Sequence, residues 1–184
     1  MSPEARHQSM RDHVLERWRP DILPFLDAYA RIPNLSPAYD PDWEADGHMD
    51  RAATLLAGWA EGRSLPGATV EIVRLPDLTP TVVVEVPASD PGATGTVLVY
   101  GHYDKQPPFD GWSEGRGPWS PVLEGDRLYA RGVADDGYAL PSAVVLICPV
   151  TITASGAERS IWVAEPKASR VPVSRKLYWL SPTR

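Results

Sequence analysis

Two short stretches hold side chains that could do chemistry together: His102 with Asp104 two residues on, and the adjacent carboxylates Asp135 and Asp136 between Gly132 and Gly137. An imidazole that binds a metal through one nitrogen ordinarily donates its other ring N–H to a carboxylate, which fixes the tautomer and raises ligand basicity. His102 would then be the ligand and Asp104 its orienting partner. Asp135 and Asp136 offer hard oxygen donors where glycines permit sharp turns and close approach, and one of them could bridge two cations. Each stretch also has an ordinary explanation. His-x-Asp recurs by chance as a polar surface turn, and Asp with Gly is the usual composition of a solvated one.

The elements that must position these residues can be read from the patterning. The run Thr96-Val97-Leu98-Val99-Tyr100 is continuously apolar after its first residue, as expected for a strand buried on both faces of an α/β sheet. It delivers His102 just past its carboxyl end, where ligands of open α/β sheets gather. If the strand geometry continues, His102 and Asp104 point to one face and Tyr103 to the other. Thr69–Leu75 and Thr81–Val86 read as two further strands, and Arg127–Ala130 as a short one leading into Gly132. The loop Lys105–Pro121 is too long for a mere connector and is expected to serve a site, with Trp112 and Trp119 pinning it down. Upstream, Val14, Trp18, Ile22, Phe25, Leu26 and Tyr29 recur at helical spacing, with Pro20 and Pro24 dividing the segment into two helices. The segment from Ile32 to Pro37 breaks that pattern, and Met49–Ala60 restarts an amphipathic helix that Gly62 ends.

Composition narrows the classes. A length of 184 residues suits one domain with a real core. A formal net charge of −6 leaves no basic footprint for phosphate backbones, so no nucleic-acid partner is expected. Cys148 is the single cysteine, which excludes an internal disulfide and thiolate zinc pairs, so any metal must use nitrogen and oxygen ligands. Cys148 follows an apolar run and is expected to be buried rather than nucleophilic. His7, His13 and His48 fall in polar settings and are expected to be solvated, while Trp162 and Trp179 are read as packing groups. The charged N-terminus lacks a signal-peptide core, which places the chain in the cytoplasm. The apolar stretch Ser142–Ala154 is too short to span a bilayer, so no membrane role is expected. No nucleophile elbow, Walker loop or dinucleotide glycine pattern is present.

Taken together, Tyr100-Gly101-His102-Tyr103-Asp104-Lys105-Gln106-Pro107, Gly111-Trp112, Gly117-Pro118-Trp119 and the run from Leu128 through Asp135-Asp136-Gly137 to Ala139 resemble zinc metallopeptidases of the carnosine dipeptidase, acetylornithine deacetylase and carboxypeptidase G type. The likeness covers about residues 10–140. It implies an α/β fold, the N-terminal portion of a zinc exopeptidase α/β/α catalytic domain. It makes His102 a ligand of one zinc, Asp104 the catalytic residue that orients it, and Asp135 the carboxylate bridging both zincs, with Asp136 outside the metal shell. It also makes the Asp135–Asp136 bond a candidate cis peptide. Many relatives carry Lys where Gly137 stands. The implied activity is hydrolysis of a dipeptide or N-acyl amino acid by two zinc ions, which cobalt or manganese could replace. A homodimer is implied for the full-length family.

The resemblance stops at Leu140. There the composition changes: residues 141–184 hold six Lys or Arg against two Asp or Glu, whereas residues 1–140 hold twelve against twenty-two. Residues 1–140 thus read as the N-terminal part of the catalytic domain. Residues 141–184 read as a divergent tail without sustained helical or strand period, of frameshifted or rearranged origin. The family's later Glu-Glu pair, a further acidic ligand and a distant His have no counterpart here, so the site is expected to be incomplete and activity impaired. The competing expectation is a non-catalytic remnant, either an unstable truncated product or a fragment that binds metal or a partner without hydrolysis. The sheet, lacking later strands, should expose an apolar edge.

Overall fold

The N-terminal segment begins with helix α1 (Pro3–Arg17), where the Ser2 side chain accepts a hydrogen bond from the Ala5 N–H at 3.2 Å and caps the first turn. The molecule is described by a computed structural model over residues 2–63, 65–88, 95–147 and 159–164. A wider π turn, Trp18–Ile22, carries Pro20 and joins α1 to α2 (Leu23–Ala30), in which Pro24 occupies the first turn. Proline lacks a backbone donor, so the helix widens at Pro20, and Pro24 follows in the first turn of α2. The expected pair of helices is therefore present, split at Pro20. Helix α2 buries Phe25, Leu26, Tyr29 and Ala30.

After the short helix α3 (Trp43–Asp46), Gly47 adopts a left-handed conformation and starts α4 (His48–Glu61). The buried positions of α4 are Met49, Ala52, Ala53, Leu56, Ala57 and Ala60. That i, i+3, i+4 spacing is one helical stripe facing the core. Gly62 closes the helix by donating to the Gly58 carbonyl at 3.1 Å.

Helix α4 packs on the first two strands, β1 (Thr69–Val73) and β2 (Thr81–Pro87), which pair antiparallel with Thr69 opposite Glu85. β3 (Thr96–Gly101) is followed by a small hairpin of β4 (Val122–Glu124) and β5 (Arg127–Tyr129). β5 matches the expected short strand, while β4 has too few residues to show a period. A second π turn (Val133–Gly137) leads into α5 (Ala139–Ile147), and β6 (Arg159–Ala164) enters the main sheet. The sheet order is β1-β2-β6-β3, with β2 and β6 antiparallel and β6 and β3 parallel. The fold is thus a mixed α/β sheet with helices packed on it.

Two expectations about this region change. β3 is not buried on both faces: Val97, Leu98 and Tyr100 are 45%, 48% and 45% exposed. It is the last strand in the sheet order, and among the described residues only β6 pairs with it. An apolar run records suitability for burial, while the burial itself depends on neighbours that the run does not encode. Nor does regular structure stop at Leu140. Leu140, Val144 and Val145 of α5 are buried, and Pro141 sits in the first turn of that helix, where its missing donor costs little. The segment hid its helix because it is almost wholly apolar and so lacks the polar face that makes a period visible. Cys148 and Trp179 lie outside the described residues, as does the Trp162 side chain.

Candidate functional site

The end of β3 presents the first half of the site. His102 follows Gly101 directly, and its Nδ1 lies 3.1 Å from Asp104 Oδ1 and 3.3 Å from the Asp104 carbonyl. Tyr103 points the other way: it is buried, and its hydroxyl donates to the Pro80 carbonyl at 2.6 Å. The strand-like alternation of residues 102 to 104 therefore holds past the end of β3. Asp104 is buried as well. Its hydrogen bond is the main cause raising the His102 pKa above the ordinary value, with the charges of Asp104, Asp136 and Asp135 adding and partial burial opposing.

The second half comes from the turn after β5. Gly132 has φ 83°, which an L side chain rarely adopts, and the chain then winds through Val133–Gly137. Asp135 and Asp136 leave helical geometry within this turn, and the peptide bond between them is cis. Asp135 Oδ1 stands 3.1 Å from His102 Nε2, and its side chain is 57% exposed. Asp136 faces inward, where its Oδ2 accepts from the His102 backbone N–H at 3.4 Å. The two carboxylates thus divide their work, one opening to solvent beside the imidazole and one holding its backbone.

This arrangement has a definite electrostatic character. With Nδ1–H donated to Asp104, a neutral His102 turns its Nε2 lone pair toward a carboxylate oxygen 3.1 Å away. Two acceptors at that distance repel unless a proton or a cation lies between them. The separation is one that a single zinc ion with bonds of about 2.0–2.2 Å to nitrogen and oxygen could span. The donors fit such an ion in kind. They fall short in number: among the described residues no group of three or more His, Cys, Asp or Glu side chains is gathered in position to hold a metal, and a catalytic zinc takes about three protein ligands.

Sequence patterning gave no sign of the residues that support the site from below. The Tyr29 hydroxyl and the Asn34 side-chain amide both donate to the Tyr103 carbonyl, at 2.7 and 2.5 Å. They lie some seventy residues upstream, and helical spacing marks Tyr29 only as core. Trp119 is half-buried with its ring 5.2 Å from the Lys105 ammonium, in keeping with a pinned loop. Of the other histidines, His7 is exposed, but His13 and His48 are half-buried rather than solvated. A cavity of about 250 Å³ beside the turn is lined by Trp18, Leu23, Leu26, Leu123, Leu128 and neighbouring residues. Neither His102 nor Asp135 lines it.

No family model matches the chain. Over 84 residues it is 34% identical to succinyl-diaminopimelate desuccinylase of Gluconobacter oxydans, covering 46% of this chain and 20% of that protein. The fold is similar to human carnosine dipeptidase 1, with a TM-score of 0.66 and 22% identity over 92% of this chain and 37% of that one. It is also similar to an M20 family metallo-carboxypeptidase from Sulfolobus solfataricus, with a TM-score of 0.58 and 28% identity over 78% of this chain and 30% of that one. The chain therefore spans between a fifth and two fifths of the length of these relatives. Because residues 1–140 are only about three quarters of the chain, the likeness to the dipeptidase reaches past Leu140. The chain carries a segment like the N-terminal part of M20 metallopeptidases, and its α/β fold is that of part of their catalytic domain.

Proposed function

We propose that this M20-like segment supplies the first metal-bearing strand ends of a two-zinc metallopeptidase, a hydrolase of dipeptides or N-acyl amino acids working in the cytoplasm. The observation that carries the reading is the pair of acceptors, His102 Nε2 and Asp135 Oδ1, 3.1 Å apart. Asp104 behind the imidazole keeps Nε2 free to face a cation. His102 and Asp135 would hold the metal, and Asp104 would fix the ring. A bound zinc, or cobalt or manganese in the same donors, would polarise a substrate carbonyl and lower the pKa of a bound water. The relatives' names, a desuccinylase, a dipeptidase and a metallo-carboxypeptidase, support an amide substrate bearing a free carboxylate. Among the described residues no helix is long and apolar enough to cross a membrane.

A second reading has its own support. With no group of three or more such donors gathered among the described residues, the chain by itself would bind metal or a partner without hydrolysis. In both readings residues 1–140 are the catalytic-domain portion and residues 141–184 a divergent tail, although α5 crosses the compositional boundary. Zinc stoichiometry and dipeptide hydrolysis, measured on the purified chain, separate the two. Metal binding with turnover supports the first, metal binding without turnover supports the second, and no metal binding removes the first and leaves of the second only a remnant that binds no metal.

A further inference from the structure

Lys105 is fully buried, and its ammonium makes three hydrogen bonds to main-chain carbonyls: Tyr29 at 2.7 Å, Ala30 at 3.3 Å and Ile32 at 2.5 Å. Those carbonyls lie at and just beyond the end of α2, the negative end of the helix dipole. The same ammonium stands 4.1 Å from the centre of the Tyr29 ring. Three donors thus meet three acceptors and an aromatic face, a complete set for a group that has left water.

The aliphatic stem of Lys105 and the ring of Tyr29 each press against one end of the turn that bears Asp135. A Cβ at Gly132 would come within 2.6 Å of Lys105 Cγ, and one at Gly137 would overlap Tyr29 Cε1. Both residues also hold the other half of the site. Tyr29 donates to the Tyr103 carbonyl, and the Lys105 backbone donates to Asn34 O and accepts from Ser36 N–H, each at 2.9 Å. The loop of His102 and the turn of Asp135 therefore rest on one shared support, although they are joined in sequence only through the long loop between them.

We infer that Lys105 and Tyr29 are positioning residues that set the gap between His102 and Asp135, acting as a spacer clamped between the two glycines and the end of α2. The inference rests on the reading that His102 and Asp135 act together, but it concerns the metal-free chain. A chain that binds no zinc and hydrolyses nothing would defeat the proposed function and leave the spacer untouched.

The test is nitrogen-15 NMR of the His102 ring in the full chain without metal. The wild type should show Nδ1 protonated and its Nδ1–H slowly exchanging, held by Asp104, whether or not Nε2 shares a proton with Asp135. Lys105→Met should remain folded by circular dichroism yet show mixed tautomers and an Nδ1–H lost to exchange. Tyr29→Phe keeps the ring against Gly137 and removes one donor to Tyr103, so its Nδ1–H should exchange at least several-fold faster. Leu56→Ala, a core change in α4, should lower stability and leave the His102 signals as they are. A folded Lys105→Met with wild-type His102 signals overturns the inference, and so does a Leu56→Ala chain that loses them. Should Lys105→Met not fold, Tyr29→Phe decides: faster exchange supports the spacer and unchanged exchange overturns it.

Discussion

His102 Nε2 faces Asp135 Oδ1 across 3.1 Å, joining a strand end to a turn thirty-odd residues later, while the far side of the same ring is held by buried Asp104. Removing either facing atom should remove most of any divalent-metal affinity. His102→Gln and Asp135→Asn are each expected to weaken zinc binding at least about tenfold in competition with a chromophoric chelator, without loss of the folded signal. Binding that survives both changes would place the metal elsewhere.

Asp104 acts one step back from that pair. Asp104→Asn keeps the shape and can still accept from Nδ1–H, but it loses the charge that raises the imidazole's basicity. Loss of such a partner ordinarily costs about 10- to 100-fold in metal affinity. Titrated side by side, Asp104→Asn should fall between the wild type and His102→Gln. An affinity equal to that of the wild type would show that Asp104 orients nothing.

Gly137 is held small by its neighbours rather than by its backbone angles. A methyl group there meets the Tyr29 ring and also the Gly132 carbonyl oxygen at 2.9 Å, and neither can yield easily because Tyr29 is fully buried. Overpacking of this kind costs about 1–3 kcal/mol or more. Urea unfolding of Gly137→Ala should show a midpoint shift of that size with an unchanged slope, and a wild-type midpoint would mean that the turn moves freely.

The site was more legible than its setting. The pairing of His102 with Asp104, the alternation that buries Tyr103, and the glycine-flanked turn all follow from local rules and from strongly spaced motifs. The strands β1, β2 and β3 were likewise marked by their β-branched runs. What could not be read depends on residues far apart in the chain. Nothing near Lys105 says that its partners are the carbonyls of residues 29, 30 and 32, and nothing in β3 says that its outer side lacks a strand among the described residues. Helix α5 was missed for the opposite reason, since a segment apolar on every side carries no periodic contrast.

The exposed side of β3 makes a separate expectation about behaviour in solution. Leu98 and Tyr100 are exposed on one face of β3 and Val97 on the other, on a strand that pairs on one side only among the described residues. Such edges favour association, and a charge on one of them blunts it. Leu98→Lys should reduce light scattering of concentrated samples while changing the unfolding midpoint little, since surface changes usually stay within about 0.5 kcal/mol. A large loss of stability would instead mean that Leu98 packs against something in the folded chain.

Lys105 also gives the fold a pH dependence whose sign is fixed. Burial pushes its ammonium down from 10.5 to about 7, against the pull of the three carbonyls and the Tyr29 ring. Between about pH 7 and the ordinary lysine value near 10.4, the unfolded chain therefore binds more protons than the folded one, and stability rises with pH. His102 and the buried tyrosines contribute their own slopes, so the quantity to follow is the stability of wild type minus that of Lys105→Met. That difference should climb from pH 7 to pH 9 by at most about 1.4 kcal/mol per pH unit, and it should be level below pH 6. A difference that stays level through pH 9 would mean that the carbonyl acceptors outweigh burial and keep Lys105 charged throughout.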